Sequence, residues 1–238
     1  MKDNNQASGV IGIDLGCLQD YSAVVDLRVQ HALPDGTAAE PFWLIQDIFR
    51  PPLGTKYLDI VRWTKQYVAA HPPAAVAVDA TGVGTAVVEL FRHADLGVRI
   101  IPITITGTGE PSITPRGVHL PKQDLVACLQ VAVENHRLKV RHDTPLCNVL
   151  IRELANFRAK FRPTASIEYS PWREAEHDDL VLACALGLWA GEYLRLRDST
   201  PLRSFTVRRA AAQTLTARQF IKRLQGDRPW TLRSTSTS

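Results

Sequence analysis

The order of the predicted elements constrains the fold more than any other feature of this sequence. Three segments rich in apolar and β-branched residues, at 9–16, 21–29 and 42–49, follow one another with short separations, which is typical of an antiparallel meander. Beyond them, helical and extended patterns alternate. Three consecutive strands followed by such alternation predict an α/β protein with a mixed sheet, antiparallel on one side and parallel on the other, and helices on both faces.

Hydrophobic periodicity and helix-boundary residues locate the alternating elements. We predict strands at 74–79, 98–104 and 166–169, and helices at 57–71, 81–92, 121–136, 146–161 and 178–193. Pro72-Pro73 closes the first of these helices, and Pro121 suits the first turn of the third. Among folds with this order of elements, a ribonuclease H-like fold with a mixed sheet of five or more strands fits best.

Two of the predicted strands carry a carboxylate where a buried strand is normally apolar. Asp14 lies within the apolar strand 9–16, where burying a lone charge costs free energy that a cation would repay. Asp79 ends the strand 74–79. If these strands are parallel neighbours, the two carboxylates emerge side by side and raise each other's pKa unless a metal neutralises them. The simpler alternatives are an Asp14–arginine pair and a turn shaped by Asp79.

A third acidic position opens the last predicted helix. His177-Asp178-Asp179 precedes the apolar run 180–185, which suits packing of the helix on the sheet. Such packing aims the first turn at the strand ends, beside Asp14 and Asp79. The alternative is that Asp178 is only a helix cap favoured by the helix dipole. An all-oxygen cluster of this kind suits Mg²⁺ or Mn²⁺, and two such ions support phosphodiester hydrolysis.

The same three blocks resemble those of a known family. They are Val10-Ile11-Gly12-Ile13-Asp14-Leu15-Gly16 with Asp20-Tyr21-Ser22-Ala23, then Val76-Ala77-Val78-Asp79-Ala80-Thr81-Gly82-Val83-Gly84, then His177-Asp178-Asp179-Leu180-Val181-Leu182-Ala183. In order and spacing they look like the signature blocks of the nuclease domain of large terminase subunits, the DNA-packaging motors of tailed bacteriophages. The resemblance covers about residues 9–192.

This resemblance implies a ribonuclease H-like, metal-dependent endonuclease that cuts concatemeric double-stranded DNA during packaging. Carried over, Asp14, Asp79 and Asp178 are metal ligands, Asp179 is a further catalytic acid or support, and His177 and Asp20 are supporting residues. The portal protein, the small terminase subunit and a packaging ATPase are the implied partners. The sequence departs from a complete large terminase because it contains no Gly-x-x-x-x-Gly-Lys-[Ser/Thr] phosphate loop. We therefore expect either an isolated nuclease domain or a stand-alone relative.

Basic residues near the predicted site are candidates for DNA contacts. They are Arg116 and Lys122 around the start of one helix, and Arg158, Lys160 and Arg162 at the end of another. They would hold phosphates without reading sequence. Solvated surface charge is the alternative explanation.

The basic charge of the chain is concentrated at its C-terminal end. The formal net charge is +4, but residues 195–238 carry ten Lys or Arg against two acids, whereas residues 1–194 have a net charge of −4. We therefore predict a nuclease domain over 1–194 and a basic tail over 195–238. Such a tail suits a polyanionic partner, although a solvated tail or a protein-docking tail is the alternative.

Other classes of protein fit less well. The longest apolar run, 180–190, is too short to span a membrane, and the N-terminus resembles no secretory signal, so we expect a cytoplasmic protein, in the host cytoplasm if the chain is viral. The four cysteines form no Cys-x-x-Cys motif and are expected to be free thiols.

The rival functions are an ATP-binding domain of the actin and Hsp70 type, a Holliday-junction resolvase, and a DNA-binding module with a vestigial nuclease.

Overall fold

Eight strands form one mixed sheet in the order β6-β7-β5-β4-β1-β2-β3-β8. The structure, a computed structural model, describes residues 9–16, 20–33, 36–82, 84–160 and 178–199. The strands are β1 (Gly9–Asp14), β2 (Ala23–Ala32), β3 (Ala38–Phe49), β4 (Ala75–Asp79), β5 (Arg99–Thr106), β6 (Ser112–Thr114), β7 (Gly117–Pro121) and β8 (Leu138–Val140). The helices are α1 (Tyr57–Ala70), α2 (Gly84–Ala94), α3 (Lys122–Glu134), α4 (Cys147–Lys160) and α5 (Asp179–Ser199).

The predicted mixed character of the sheet is confirmed. Strands β1, β2 and β3 pair antiparallel, and β1, β4, β5 and β7 pair parallel. The sheet is larger than the elements predicted from periodicity, because β6 and β7 extend one side and β8 pairs parallel to β3 on the other. Helix α5 continues to Ser199, beyond the predicted end. The strand predicted at 166–169 lies outside the described residues.

Alternating side chains of the strands feed two separate cores, one on each face of the sheet. Ile11 and Ile13 pack with the apolar residues of α1 and α2. Val10 and Ala77 pack on the opposite face with α3, α4 and α5. Helices therefore cover both faces, as predicted. Three free cysteines, Cys128, Cys147 and Cys184, are buried on the second face, whereas Cys17 lies outside the described residues.

A close approach between α5 and the central strand sets the position of this helix. A Cβ built on Gly12 would lie 1.9 Å from the Ala183 carbonyl oxygen and 2.6 Å from the Gly187 nitrogen. Gly187 is itself close, since its own Cβ would lie 3.0 Å from the Gly12 nitrogen. Glycine at both positions lets the backbones meet where a side chain would separate them. This contact brings the first turn of α5 towards the end of β1.

Candidate active site

Asp14 and Asp79 end two neighbouring parallel strands. Ile13 of β1 is in register with Val78 of β4, so the next residue of each strand, Asp14 and Asp79, emerges at the same edge. Both aspartates lie on the face that α5 covers, because alternation places them with Val10 and Ala77 and opposite Ile13. The Asp14 side chain is buried and that of Asp79 is half-buried. The predicted side-by-side arrangement is thus what the strand register produces.

The surroundings of Asp14 disfavour its charged form. Burial is the main cause that raises the pKa of Asp14 well above its usual value, and the negative charges of Asp79, Asp179 and Asp178 raise it further. The Asp14 and Asp79 carboxyl groups are close enough to interact by a hydrogen bond, which requires that one of the two be protonated. The environment is therefore that of an acidic cluster rather than an Asp–Arg pair.

Asp79 also shapes the turn that follows its strand. Its Oδ1 accepts a hydrogen bond of 2.7 Å from the backbone N–H of Thr81. Burial raises the pKa of Asp79, and the hydrogen bonds from Thr81 oppose that rise. The turn-forming role that the sequence left as an alternative is thus present. It coexists with the carboxyl contact to Asp14, because a carboxylate has two oxygens.

The two acids at the start of α5 have different surroundings. Asp178 precedes the helix, and its carbonyl oxygen accepts the hydrogen bond of 2.9 Å from the Leu182 N–H, so it occupies the N-cap position. Asp179, the first helical residue, is buried, and its Oδ2 lies 3.6 Å from Nη2 of Arg50. Both carboxylates act electrostatically on Asp14, so the helix start does lie beside the strand ends.

Arg50 and Glu153 are buried charged residues beside these acids that the sequence patterns did not reveal. Arg50 follows β3 directly and donates a hydrogen bond from Nη2 to Oε1 of Glu153 on α4. Glu153 Oε2 accepts a hydrogen bond of 3.1 Å from the Leu180 N–H. Burial raises the pKa of Glu153 to about 7, although Arg50 opposes the rise. One sequence feature could have identified Arg50. It directly follows β3, which runs parallel to β1 and therefore ends at the same edge of the sheet as Asp14.

The donor chemistry of the cluster fits a divalent cation, although its present spacing does not. Within the described stretches, no three His, Cys, Asp or Glu side chains are grouped closely enough to hold a metal ion as they stand. Carboxylate oxygens are the ligands that Mg²⁺ and Mn²⁺ prefer. A cation would also relieve the repulsion that raises the pKa of Asp14, so the residues fit such an ion.

The other predicted site residues differ in where they lie relative to the acids. Asp20 is exposed and precedes β2. Lys122 follows β7 at the edge where Asp79 ends β4, whereas Arg116 precedes β7 at the other end of that strand. Arg158 and Lys160 belong to α4, but their side chains are outside the described part. His177 and Arg162 lie outside the described residues.

We call the edge of the sheet where Asp14 and Asp79 end their strands the acidic edge. Besides Lys122, a second lysine at this edge is Lys56. It is exposed and immediately precedes α1. The hydroxyl of the next residue, Tyr57, donates a hydrogen bond of 3.0 Å to the carbonyl oxygen of Gly16. Because Gly16 lies two residues beyond Asp14, this contact holds the start of α1 at the same edge of the sheet, on the face opposite to the two aspartates. Lys56 was not singled out from the sequence because nothing local distinguishes it from a surface lysine.

Comparisons with known proteins agree with this architecture. Residues 11–190 match the profile of the family described as the terminase RNaseH-like domain. The fold is similar to the crystal structure of the large terminase nuclease from thermophilic phage G20c with bound zinc, with a TM-score of 0.50 and 23% identity, covering 75% of this chain and 78% of that one. The cobalt-bound structure of the same nuclease gives 0.52 and 23%, with coverages of 76% and 80%. No curated protein matches the chain.

Proposed function

Because this chain belongs to the terminase ribonuclease H-like domain family, whose nucleases act in viral DNA packaging, we propose that Asp14, Asp79 and the Asp178–Asp179 turn form its metal-dependent catalytic site. The observation that carries the proposal is the junction of two parallel strand ends with the acidic start of α5. The reaction is hydrolysis of a phosphodiester bond in double-stranded DNA. The solved relatives contain zinc or cobalt, and we propose Mg²⁺ or Mn²⁺ for this chain.

Each acidic residue has a definite part in this proposal. Asp14, Asp79 and Asp178 would hold the metal ions, with Asp179 as a further ligand or support. The chemistry that bound divalent ions supply is activation of a water molecule and stabilisation of the leaving oxygen. The proton shared by Asp14 and Asp79 would leave when a divalent cation binds, because the positive charge favours the ionised form of both carboxyl groups. Asp20 and His177 remain proposed supporting residues.

The wider assembly follows from the family. No phosphate loop occurs in the 238 residues, so we assign ATP-driven translocation to a separate ATPase unit of the packaging complex. The portal protein and the small terminase subunit are proposed partners, and the host cytoplasm is the proposed place of action. Among the described residues, no helix has the length and apolar character needed to cross a membrane.

Incubation of supercoiled plasmid with the purified chain tests the proposed function. We expect nicking and linearisation with Mg²⁺ or Mn²⁺ and none with EDTA, because without a cation the clustered carboxylates repel the phosphate that is to be cut. A four-way junction is the matched substrate. Cleavage confined to the junction would favour a resolvase, and a folded chain that cuts nothing with either metal would contradict the proposal.

Lys56 and Lys122 are the proposed phosphate contacts at the acidic edge. We expect Lys56→Ala and Lys122→Ala each to weaken binding of a DNA duplex and to reduce the slope of log affinity against log salt by about 0.9, the value for one phosphate contact. Fluorescence anisotropy over a salt series measures both effects. Lys65→Ala is the control, since Lys65 lies further along α1 and bonds the Ala94 carbonyl. Equal slopes for all variants would remove both lysines from the interface.

The predicted basic tail gives a separate test. Helix α5 and the described part of the chain both end at Ser199, so a deletion of residues 200–238 retains all of the described part. These residues contain eight Lys or Arg. We expect the deletion to leave metal binding unchanged but to weaken DNA binding and flatten its salt dependence, because fewer counterions are displaced. An unchanged salt slope would instead indicate a tail that contacts protein.

A further inference from the structure

An ion-pair network links the end of β3 and helix α4 to the start of α5. The Arg50 side chain is 12% exposed and that of Glu153 is 7% exposed. Arg50 bonds Glu153 and lies 3.6 Å from Asp179, and its guanidinium lies 5.1 Å from the centre of the Tyr21 ring. Arg50 is thus held on several sides, with one cation placed between two carboxylates.

Glu153 acts on the backbone of α5 as well as on Arg50. One carboxylate oxygen accepts from Arg50 and the other accepts from the Leu180 N–H. The first N–H groups of a helix have no acceptor within the helix, and a negative charge there interacts favourably with the helix dipole. Glu153 therefore ties α4 to the turn that carries Asp178 and Asp179.

A contribution to stability does not by itself explain why Arg50, Glu153 and Asp179 are buried together. A buried ion pair contributes little net stability compared with apolar residues of similar size. Without Arg50, the carboxylates of Glu153 and Asp179 would lie near each other with no cation between them, next to two further aspartates, Asp79 and Asp178, that already act on Asp14. The network places one positive charge between two of the acids and ties the acidic turn to β3 and α4.

We propose that Arg50 and Glu153 are positioning residues that hold the first turn of α5 in the orientation needed for metal binding. This inference rests on the proposed function, because it concerns the same carboxylate site. Neither residue is required to touch DNA or the metal ions. Arg50 orients Asp179 through its charge, and Glu153 orients the backbone through Leu180.

Isothermal titration of the full chain with Mn²⁺ tests the proposal. We expect Glu153→Gln to weaken Mn²⁺ binding by about tenfold or more, since outer partners of metal ligands typically contribute 10–100-fold in affinity. Arg50→Ala should have a similar effect, and Arg50→Lys a smaller one, because lysine keeps the charge but not the guanidinium geometry. Faster hydrogen exchange at the Leu180 amide in Glu153→Gln is the second readout.

The same helix offers a matched control. Glu192, near the other end of α5, accepts hydrogen bonds from Trp43 Nε1 and Arg137. It lies thirteen positions after Asp179, a distance of roughly 20 Å along the helix. Glu192→Gln should lower stability as Glu153→Gln does, but should leave Mn²⁺ affinity and Leu180 exchange unchanged.

The outcomes separate the positioning role from the proposed function. Equal Mn²⁺ affinity of the wild type and a folded Glu153→Gln variant would overturn the positioning role alone. Failure of all three Arg50 and Glu153 variants to fold would also overturn it, because the pair would then serve the fold. If the wild type neither binds Mn²⁺ nor cuts DNA, both the proposed function and this inference fail.

Discussion

The Asp14→Asn variant is expected to lose metal-dependent DNA cleavage almost completely. Asp14 is buried and interacts directly with Asp79, and an amide supplies no negative charge to a cation. We expect a loss in cleavage rate greater than the roughly 100-fold upper range for an outer partner of a metal ligand. Plasmid nicking with Mn²⁺ measures it. Asp79→Asn should behave in the same way, whereas the exposed Asp59→Asn should cleave normally.

The same substitution is expected to stabilise the metal-free chain at neutral pH. Because the pKa of Asp14 is raised in the folded state, folding favours the protonated group, and this stabilisation is lost as the pH rises through the folded-state pKa. Asparagine is neutral throughout. In EDTA we expect the variant to melt at least about 2 °C above the wild type at pH 8, which corresponds to less than 1 kcal/mol for a chain of this size. The difference should shrink towards pH 4.

Two results would contradict this assignment. Full cleavage by purified Asp14→Asn, with the wild type inactive in EDTA, would show that Asp14 is not part of the metal site. A lower melting temperature of the metal-free variant at pH 8 would show that the Asp14 carboxylate is stabilised by its surroundings rather than strained by them.

Gly12→Ala is expected to be the most damaging single-methyl substitution in the sheet. The added carbon would lie 1.9 Å from the Ala183 carbonyl oxygen, and backbone atoms of a packed helix cannot rotate away. Overpacking typically costs about 1–3 kcal/mol, and we expect at least about 3 kcal/mol here because α5 as a whole must move. The movement would also carry the Asp178–Asp179 turn away from Asp14. Urea denaturation and Mn²⁺ titration measure the two effects.

Gly107→Ala is the matched control for this prediction. Nothing lies within 4 Å of a Cβ built on Gly107, so its stability should be close to that of the wild type. If Gly12→Ala unfolds at the same urea concentration as the control and binds Mn²⁺ normally, the close packing of α5 on β1 is not what positions the acidic turn.

Much of the fold was predictable from local sequence patterns because the long elements are strongly periodic. The central strands and the five helices of the described residues were predicted, and Asp14 and Asp79 stood out as carboxylates in apolar strands. The short strands β6, β7 and β8 were missed, since they have three to five residues and lack the unbroken apolar run that marks the equally short β4. β8 becomes a strand only by pairing with β3. The roles of individual site residues stay predictions.

The sequence by itself determined which segments are strands and helices, and which acids end up at strand and helix termini, because these depend on the spacing of apolar residues along one segment. Tertiary structure alone decided the partners of those acids. Arg50 and Glu153 are 103 residues apart in the chain, and neither differs in its local sequence from a charged surface residue. They meet because the end of β3 and the middle of α4 lie beside the start of α5, and burial there makes an unpaired charge too costly to leave.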